Sequence, residues 1–187
     1  SAVNFYRQLV GLPSVSLDRS AVPTAMAAAL MMTAANSLDH YPPPTWPCYT
    51  TSGADGAQRA NLALGASGVA AISLYMVDPG ANNTAVGHRR WILYPPATAF
   101  GTGSTWNANA LTVIGSAGDR PTGGLVTWPP VGYVPWQLVP ERWSFSTNLD
   151  PGADYTNARV KVTANGIDVP ARALPVQAGS GDNTLVF

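Results

Sequence analysis

Apolar positions fall at helical spacing over the first eighty residues and at strand spacing after that. Val3, Tyr6 and Val10 with Leu9 and Leu12 predict a first helix, stopped by Gly11 and Pro13. A second helix is expected from Ser20 or Pro23 to about Asp39. Its Ala- and Met-rich run, Ala25 to Ala35, is apolar nearly all round, which predicts a buried helix. The segment Tyr41-Pro42-Pro43-Pro44-Thr45-Trp46-Pro47 has four prolines in six positions, which forbids helix or sheet interior and predicts an extended loop. Asp55 is placed to N-cap a third helix ending at Gly65. Ser67 is placed to cap a fourth, with Val69, Ile72, Tyr75 and Met76 on its apolar face and Pro79-Gly80 as its stop.

Strands are expected at Val86 to Tyr94, Ala110 to Gly115 and Leu125 to Trp128, with Gly101, Gly103, Gly115, Gly118, Gly123 and Gly124 marking turns. From about Pro140, Arg142–Ser146, Ala158–Thr163 and Leu185–Phe187 alternate as half-buried strands do, and Asn165-Gly166 signals a hairpin. A boundary near Val139 divides the chain into residues 1–139 and a β-rich segment, 140–187. The segment has three or four strands, too few for a complete β-sandwich. The expectation is that it was cut short or that another subunit supplies the missing edge.

Composition narrows the function. Only 11% of the 187 residues are charged and the net charge is zero, against about 25% charged in an ordinary domain. A nucleic-acid-binding surface needs a basic stripe, and none is present. A chain 46% apolar without net charge is not disordered. The longest apolar stretch, Ala21 to Ala35, is broken by Pro23 and Thr24 and is too short to span a bilayer. Sparse Lys and Glu with abundant Thr and Asn point to an exported protein. No charged segment followed by an apolar one opens the chain, so any signal peptide is expected to be gone. Cys48 is the single cysteine and forms no intrachain disulfide. It is expected as a small buried hydrophobe among Pro and Trp, with an intermolecular link or a nucleophile as the alternatives.

His40 and His88 are the only histidines. Each alone suits a structural role. They gain meaning only if the fold brings them together. Other catalytic patterns are poorer. No Gly-x-Ser-x-Gly elbow exists, Gly101-Thr102-Gly103-Ser104 lacks the Lys of a phosphate loop, and a Ser/His/Asp set would have to use Ser37 or Ser67 with His88 and Asp78. Asn82-Asn83-Thr84 has the form of a glycosylation acceptor. On a strand, Arg89 and Arg90 would face opposite sides, one in a structural network and one at the surface. Trp91 and Trp143 are expected in the core. Tyr41 and Trp46 form either an aromatic rim beside His40, suited to glycan, lipid or partner binding, or a proline-rich cover over the helices.

Several short motifs, in order, resemble the CAP superfamily (cysteine-rich secretory, antigen 5 and pathogenesis-related 1 proteins), especially its bacterial branch. Asn4-Phe5-Tyr6-Arg7 with Gly11-Leu12-Pro13 resembles the opening helix, and Asn36-Ser37-Leu38-Asp39-His40 the segment delivering the first cleft histidine. Asn61-Leu62-Ala63 resembles the end of the G-E-N-L-A motif, and Gly87-His88-Arg89-Arg90-Trp91-Ile92-Leu93 the family's G-H strand. The resemblance covers about residues 2 to 135. It implies an α+β fold: a three-layer α-β-α sandwich with a small, mostly antiparallel sheet, here followed by the incomplete β-sandwich-like segment.

The resemblance also implies a cleft of two histidines and two acids able to hold zinc or another divalent metal. Carried over residue by residue, the histidines are His40 and His88, the second acid is Asp78, and the first acid falls on Ala60. No Glu precedes Glu141 to replace it. Zinc is usually held by at least three protein ligands, and a hydrolase needs a base besides. His40, His88 and Asp78 are therefore the candidate metal ligands and the candidate catalytic residues, with Asp39 or Asp55 as substitutes for Asp78. The leading expectation is a secreted, extracellular binding or assembly module whose two-histidine cleft holds a divalent metal weakly. The alternatives are a metal-dependent hydrolase and a lipid- or sterol-binding module. The expected partners are an extracellular protein, a glycan, a lipid, or another copy joined through the C-terminal strands.

Overall fold

A four-stranded sheet with helices on both faces organises the first two-thirds of the chain. In the computed structural model, which describes residues 1–187, the helices are α1 (Ala2–Leu9), α2 (Val22–Ala35), α3 (Thr51–Gln58), α4 (Gly68–Val77) and α5 (Gly87–Ile92). The strands are β1 (Ser16–Leu17), β2 (Ala60–Leu64), β3 (Ala97–Ser104), β4 (Ala108–Ala117), β5 (Leu125–Trp128), β6 (Ser144–Thr147), β7 (Val162–Ala164), β8 (Ile167–Val169) and β9 (Leu185–Val186). The main sheet runs β1-β3-β4-β2, parallel between β1 and β3 and antiparallel elsewhere.

Each face of the sheet has its own apolar core. On one side Ala25, Ala28, Ala29 and Met32 of α2 and Ala57 of α3 meet Leu62, Ala108 and Ala110. On the other, Val3 and Tyr6 of α1, Ile72, Tyr75 and Met76 of α4 and Ile92 of α5 meet Ala63, Phe100, Leu111 and Val113. This is the expected α-β-α sandwich. Arg7, fully buried, joins its parts: Nε donates to the Pro13 carbonyl at 2.8 Å, and Nη1 to those of Ile92 and Tyr94 at 2.9 and 2.8 Å.

Helix α2 is not buried all round. Ala25, Ala28, Ala29 and Met32 repeat at helical spacing and face the sheet, while Met26 and Leu30 stand exposed. The small side chains let the helix lie very close to the sheet. Gly103, expected at a turn, lies inside β3 directly beneath α2, where a Cβ would collide with the backbone of Ala25 and Met26.

Four local expectations change. The third helix is capped by Thr50, whose Oγ1 accepts from the Gly53 N–H at 2.9 Å, and it ends at Gln58; residues 60–64 are strand β2. Helices cover both faces of β2, so its apolar run lacks the alternation that marks a strand. Residues 87–92 form helix α5 rather than a strand. A buried acceptor at its first turn overrides the β-preference of Trp91 and Ile92, as described below. Ser67 precedes α4 as expected, but its hydroxyl donates to the Trp106 carbonyl at 3.3 Å and makes no cap bond. Cys48 is exposed, not a buried hydrophobe, in a left-handed conformation with φ 59°.

The C-terminal strands form a sheet in the order β5-β6-β9, and β7-β8 is a separate hairpin around Asn165-Gly166, with φ 52° and 79°. The strand expected from Ala158 shrinks to Val162–Ala164. Trp143 is 37% exposed, whereas Trp128 of β5 is the deeply buried tryptophan, edge-to-face on Tyr6 with ring centroids 5.5 Å apart. That contact seats the C-terminal sheet on the α1/α4 layer.

Gly103→Ala is expected to lose about 1–3 kcal/mol by overpacking, since backbone atoms cannot move aside. Urea denaturation measures it. Thr98→Ala, at an exposed strand position, is the control and is expected to change stability by less than about 0.5 kcal/mol.

Candidate functional site

The site is built around the end of α4. Asp78 follows the last helical residue in a left-handed conformation, φ 50° and ψ 55°, and is almost fully buried. Its Oδ1 accepts from His88 Nδ1 at 2.7 Å. Its Oδ2 accepts from the backbone N–H groups of His88 at 2.9 Å and Arg89 at 3.4 Å. These are donors of the first turn of α5, so one carboxylate starts that helix and orients its histidine. A carboxylate only accepts, so Nδ1 of His88 carries a proton and Nε2 is the nitrogen left for other partners.

Two further contacts hold His88, one on its ring and one on its backbone. The Tyr75 ring stacks on it with centroids 5.3 Å apart and planes 26° apart. The Tyr75 hydroxyl lies 2.9 Å from both the Asn61 carbonyl and Asn109 Oδ1, and burial holds its pKa well above the ordinary range, so it stays a neutral donor. Asn61 Nδ2 in turn donates to the His88 carbonyl at 2.9 Å.

Arg89 and Arg90 both point inward, which corrects the expectation that one lies at the surface. The strand argument fails because the segment is helical. Arg89 donates from Nε to the Met76 carbonyl at 2.7 Å and from Nη2 to that of Val77 at 3.1 Å, closing the C-terminus of α4. Its Nη1 reaches the Arg142 carbonyl at 2.9 Å and Ser144 Oγ at 3.1 Å. Burial lowers its pKa to about 10, the Asp78 charge opposes that shift and Arg142 adds to it, so Arg89 is still a cation at neutral pH. Arg90 holds the Gln177 carbonyl at 2.7 Å and the Asp182 carbonyl at 2.8 Å. Both guanidinium groups are buried, turned to polar groups of the chain itself and absent from the cleft lining, so the pair is not an anion site there.

His40 lies beyond α2. Its Nδ1 donates to the Ala57 carbonyl at 2.8 Å, so its Nε2 is also the free nitrogen. Both histidines line one cleft of about 430 Å³ with Tyr41, Gln58, Asn82 and Trp91. They also line an adjoining hollow of about 460 Å³ that extends to Leu62, Tyr75 and Asp78. The fold thus brings His40, Asp78 and His88 to one place. Ala60 lines the same cleft, with a methyl group at the position of the first acid. Asp39 and Asp55 do not reach it: Asp39 accepts from the Tyr41 N–H, and Asp55 lines a separate hollow beside Asp18 and Arg59.

No three His, Cys, Asp or Glu side chains converge on a point that could hold a metal ion. Both Asp78 oxygens are already engaged. The residues therefore do not fit a three-ligand metal centre, and Asp78 stands where an outer partner of a histidine stands. The two readings of the proline loop divide between its aromatics: Tyr41 is an exposed rim residue, while Trp46 packs against the α2/α3 core. Trp91 is half-buried: it packs against the α1/α4 core, near its expected place, and also lines the cleft. Gln58, Asn83, Gly179 and Ser180 also line it and had not been foreseen as site residues. Asn82 and Asn83 had drawn attention only as a glycosylation pattern. Gly179 and Ser180 lie far along the chain and carried no signal beyond a Gly-Ser-Gly turn.

The family comparison agrees with this geometry. Residues 1–114 match the model of CAP, the Cysteine-rich secretory protein family, and the chain belongs to that family. The match ends within β4 and leaves the C-terminal sheet outside it. Comparison with curated proteins and with solved structures gives no match. No helix is long and apolar enough to cross a membrane.

Arg89→Met strands the carbonyls of Met76, Val77 and Arg142 and leaves Asp78 buried without its neighbouring cation. The expected cost is about 3–5 kcal/mol, read from the urea midpoint. Arg159→Met, at an exposed position, should change stability by less than about 0.5 kcal/mol.

Proposed function

We propose that the protein is an extracellular CAP module that binds a ligand in the His40/His88 cleft rather than hydrolysing one there with a bound metal. The observation that carries this is the engagement of Asp78. It is the one acid at the site, and both its oxygens are spent holding His88 and the start of α5. With Ala60 in place of a second acid, the cleft has no free carboxylate to complete a metal site or to serve a metal-bound water. What remains is a rigid, preorganised surface, and preorganisation favours binding. An extracellular setting is supported by the family and by the low charge of the chain.

The test is an NMR survey of the full chain with small molecules of four kinds: anionic, cationic, apolar and neutral polar. Shifts concentrated at His40, His88, Gln58, Asn82 and Trp91 are expected from at least one kind. Absence of shifts there from every kind would sink the reading.

Metal binding is reduced to a contact between two imidazoles. Calorimetry should give weak zinc binding that does not saturate at equimolar metal and disappears in His40→Ala and His88→Ala. Ala60→Glu supplies the missing ligand and is expected to tighten zinc binding at least tenfold, the effect of about 1.4 kcal/mol. Tight zinc binding by the unaltered chain, or none gained by Ala60→Glu, would contradict this account of the cleft.

A second reading, self-association through the C-terminal strands, is favoured by their exposed apolar surface. Trp143, Phe145 and Phe187 line a groove of about 520 Å³ whose rim carries the exposed Val131. Zero net charge offers little repulsion. Sedimentation should show concentration-dependent dimers, lost in Val131→Asp. Monomers at all concentrations would remove this reading.

A further inference from the structure

Resting on the reading of the cleft as a binding site, we infer that its ligand is a neutral, polyhydroxylated molecule of the oligosaccharide class, and that Ser180, from outside the family-matched region, contacts it. The lining decides the class. Apart from the two imidazoles, no acidic or basic side chain lines the cleft. An anionic ligand would find no Arg or Lys in the lining, since Arg89 and Arg90 are buried and turned to the chain itself. A cationic ligand would find no free carboxylate, since both Asp78 oxygens are taken. An apolar ligand would strip water from the amides of Gln58, Asn82 and Asn83 without replacing it.

A hydroxyl-rich neutral ligand meets none of these objections. Each of its hydroxyls both donates and accepts. Each Nδ1 donates within the chain, so Nε2 of His40 and of His88 is the ring atom left to meet a ligand hydroxyl. The exposed amides of Gln58 and Asn82 both donate and accept. Asn83 donates Nδ2 to the Pro79 carbonyl at 2.7 Å and keeps Oδ1 as an acceptor. Trp91 and Tyr41 add aromatic surface against which the C–H faces of a sugar ring can pack. The cleft volume, about 430 Å³, lies within the range of small-ligand sites.

Ser180 belongs to this wall by construction. Arg90, on α5 two residues after His88, grips the carbonyls of Gln177 and Asp182 at 2.7 and 2.8 Å. Gln177 Nε2 donates to Thr84 Oγ1 at 2.9 Å, and Arg120 pairs with the Asp182 carboxylate at 2.6 and 2.8 Å. Between these anchors the turn Gly179-Ser180-Gly181, with glycine φ of 97° and 61°, sets Ser180 beside the start of α5. A Cβ on Gly87 would lie 3.0 Å from Ser180 Oγ, so the hydroxyl sits against the residue preceding His88.

The experiment uses the full chain and NMR titration of the histidine and Ser180 resonances. The probes are cellobiose, mannobiose and chitobiose, with glucuronate, glucosamine and laurate as anionic, cationic and apolar comparisons. At least one neutral disaccharide is expected to shift both histidines and to bind more tightly than any comparison compound. Ser180→Ala should weaken that binding about three- to tenfold, the loss of one hydrogen bond. Ser180→Trp should abolish it by filling the cleft, with near-ultraviolet circular dichroism confirming an intact fold. Shifts at the histidines from a charged or apolar probe but from no disaccharide would overturn the inference and leave the binding reading standing. Silence from every probe would overturn both. Disaccharide binding unchanged in Ser180→Ala and in Ser180→Trp would overturn the part assigned to Ser180.

Discussion

Three guanidinium groups, those of Arg7, Arg89 and Arg90, are buried on backbone carbonyls rather than on carboxylates. Each collects the carbonyl groups that helix ends and turns leave without partners. Arg7 gathers the turn after α1 and the end of α5. Arg89 closes α4 and reaches across to β6. Arg90 ties α5 to the chain just before β9. The cleft depends on this arrangement. Arg89 offsets the charge of Asp78, Asp78 starts α5, and α5 presents His88. A carbonyl cradle leaves each arginine charged yet satisfied, and it fixes backbone segments that share no sheet.

The layered fold was legible because it rests on helical spacing and on punctuation. Gly11-Pro13 and Pro79-Gly80 mark where α1 and α4 stop. Strand β2 was not legible, because burial on both faces erases alternation and Leu and Ala are good helix formers. Helix α5 was not legible either. Its six residues favour strand locally, and what makes them helical is an acceptor ten residues earlier, on Asp78, which only the folded chain brings near. The histidine pair was legible by motif order. The amide walls and Ser180 were not, since they come from a short helix end, a loop and a distant turn that share no pattern.

Scaffold and chemistry separate cleanly in this molecule. The two cores, the sheet order and the His88 support are all in place, yet the position of one acid is held by Ala60 and the other acid faces inward to structural donors. The shape of a site is set by packing and its chemistry by a few side chains, so the two can vary independently on one scaffold.

Asp78 gathers several unfavourable circumstances in one residue. It holds a left-handed backbone conformation that suits glycine, it places a negative charge at the carbonyl end of a helix, and it buries that charge. Glycine at this position would relieve all three at once. It would also release the His88 ring and remove the acceptor that starts α5. The folded chain thus carries local strain at the one residue on which the orientation of its cleft depends. One side chain therefore concentrates a local cost and the contacts that start α5 and aim His88, so neither can be altered without the other.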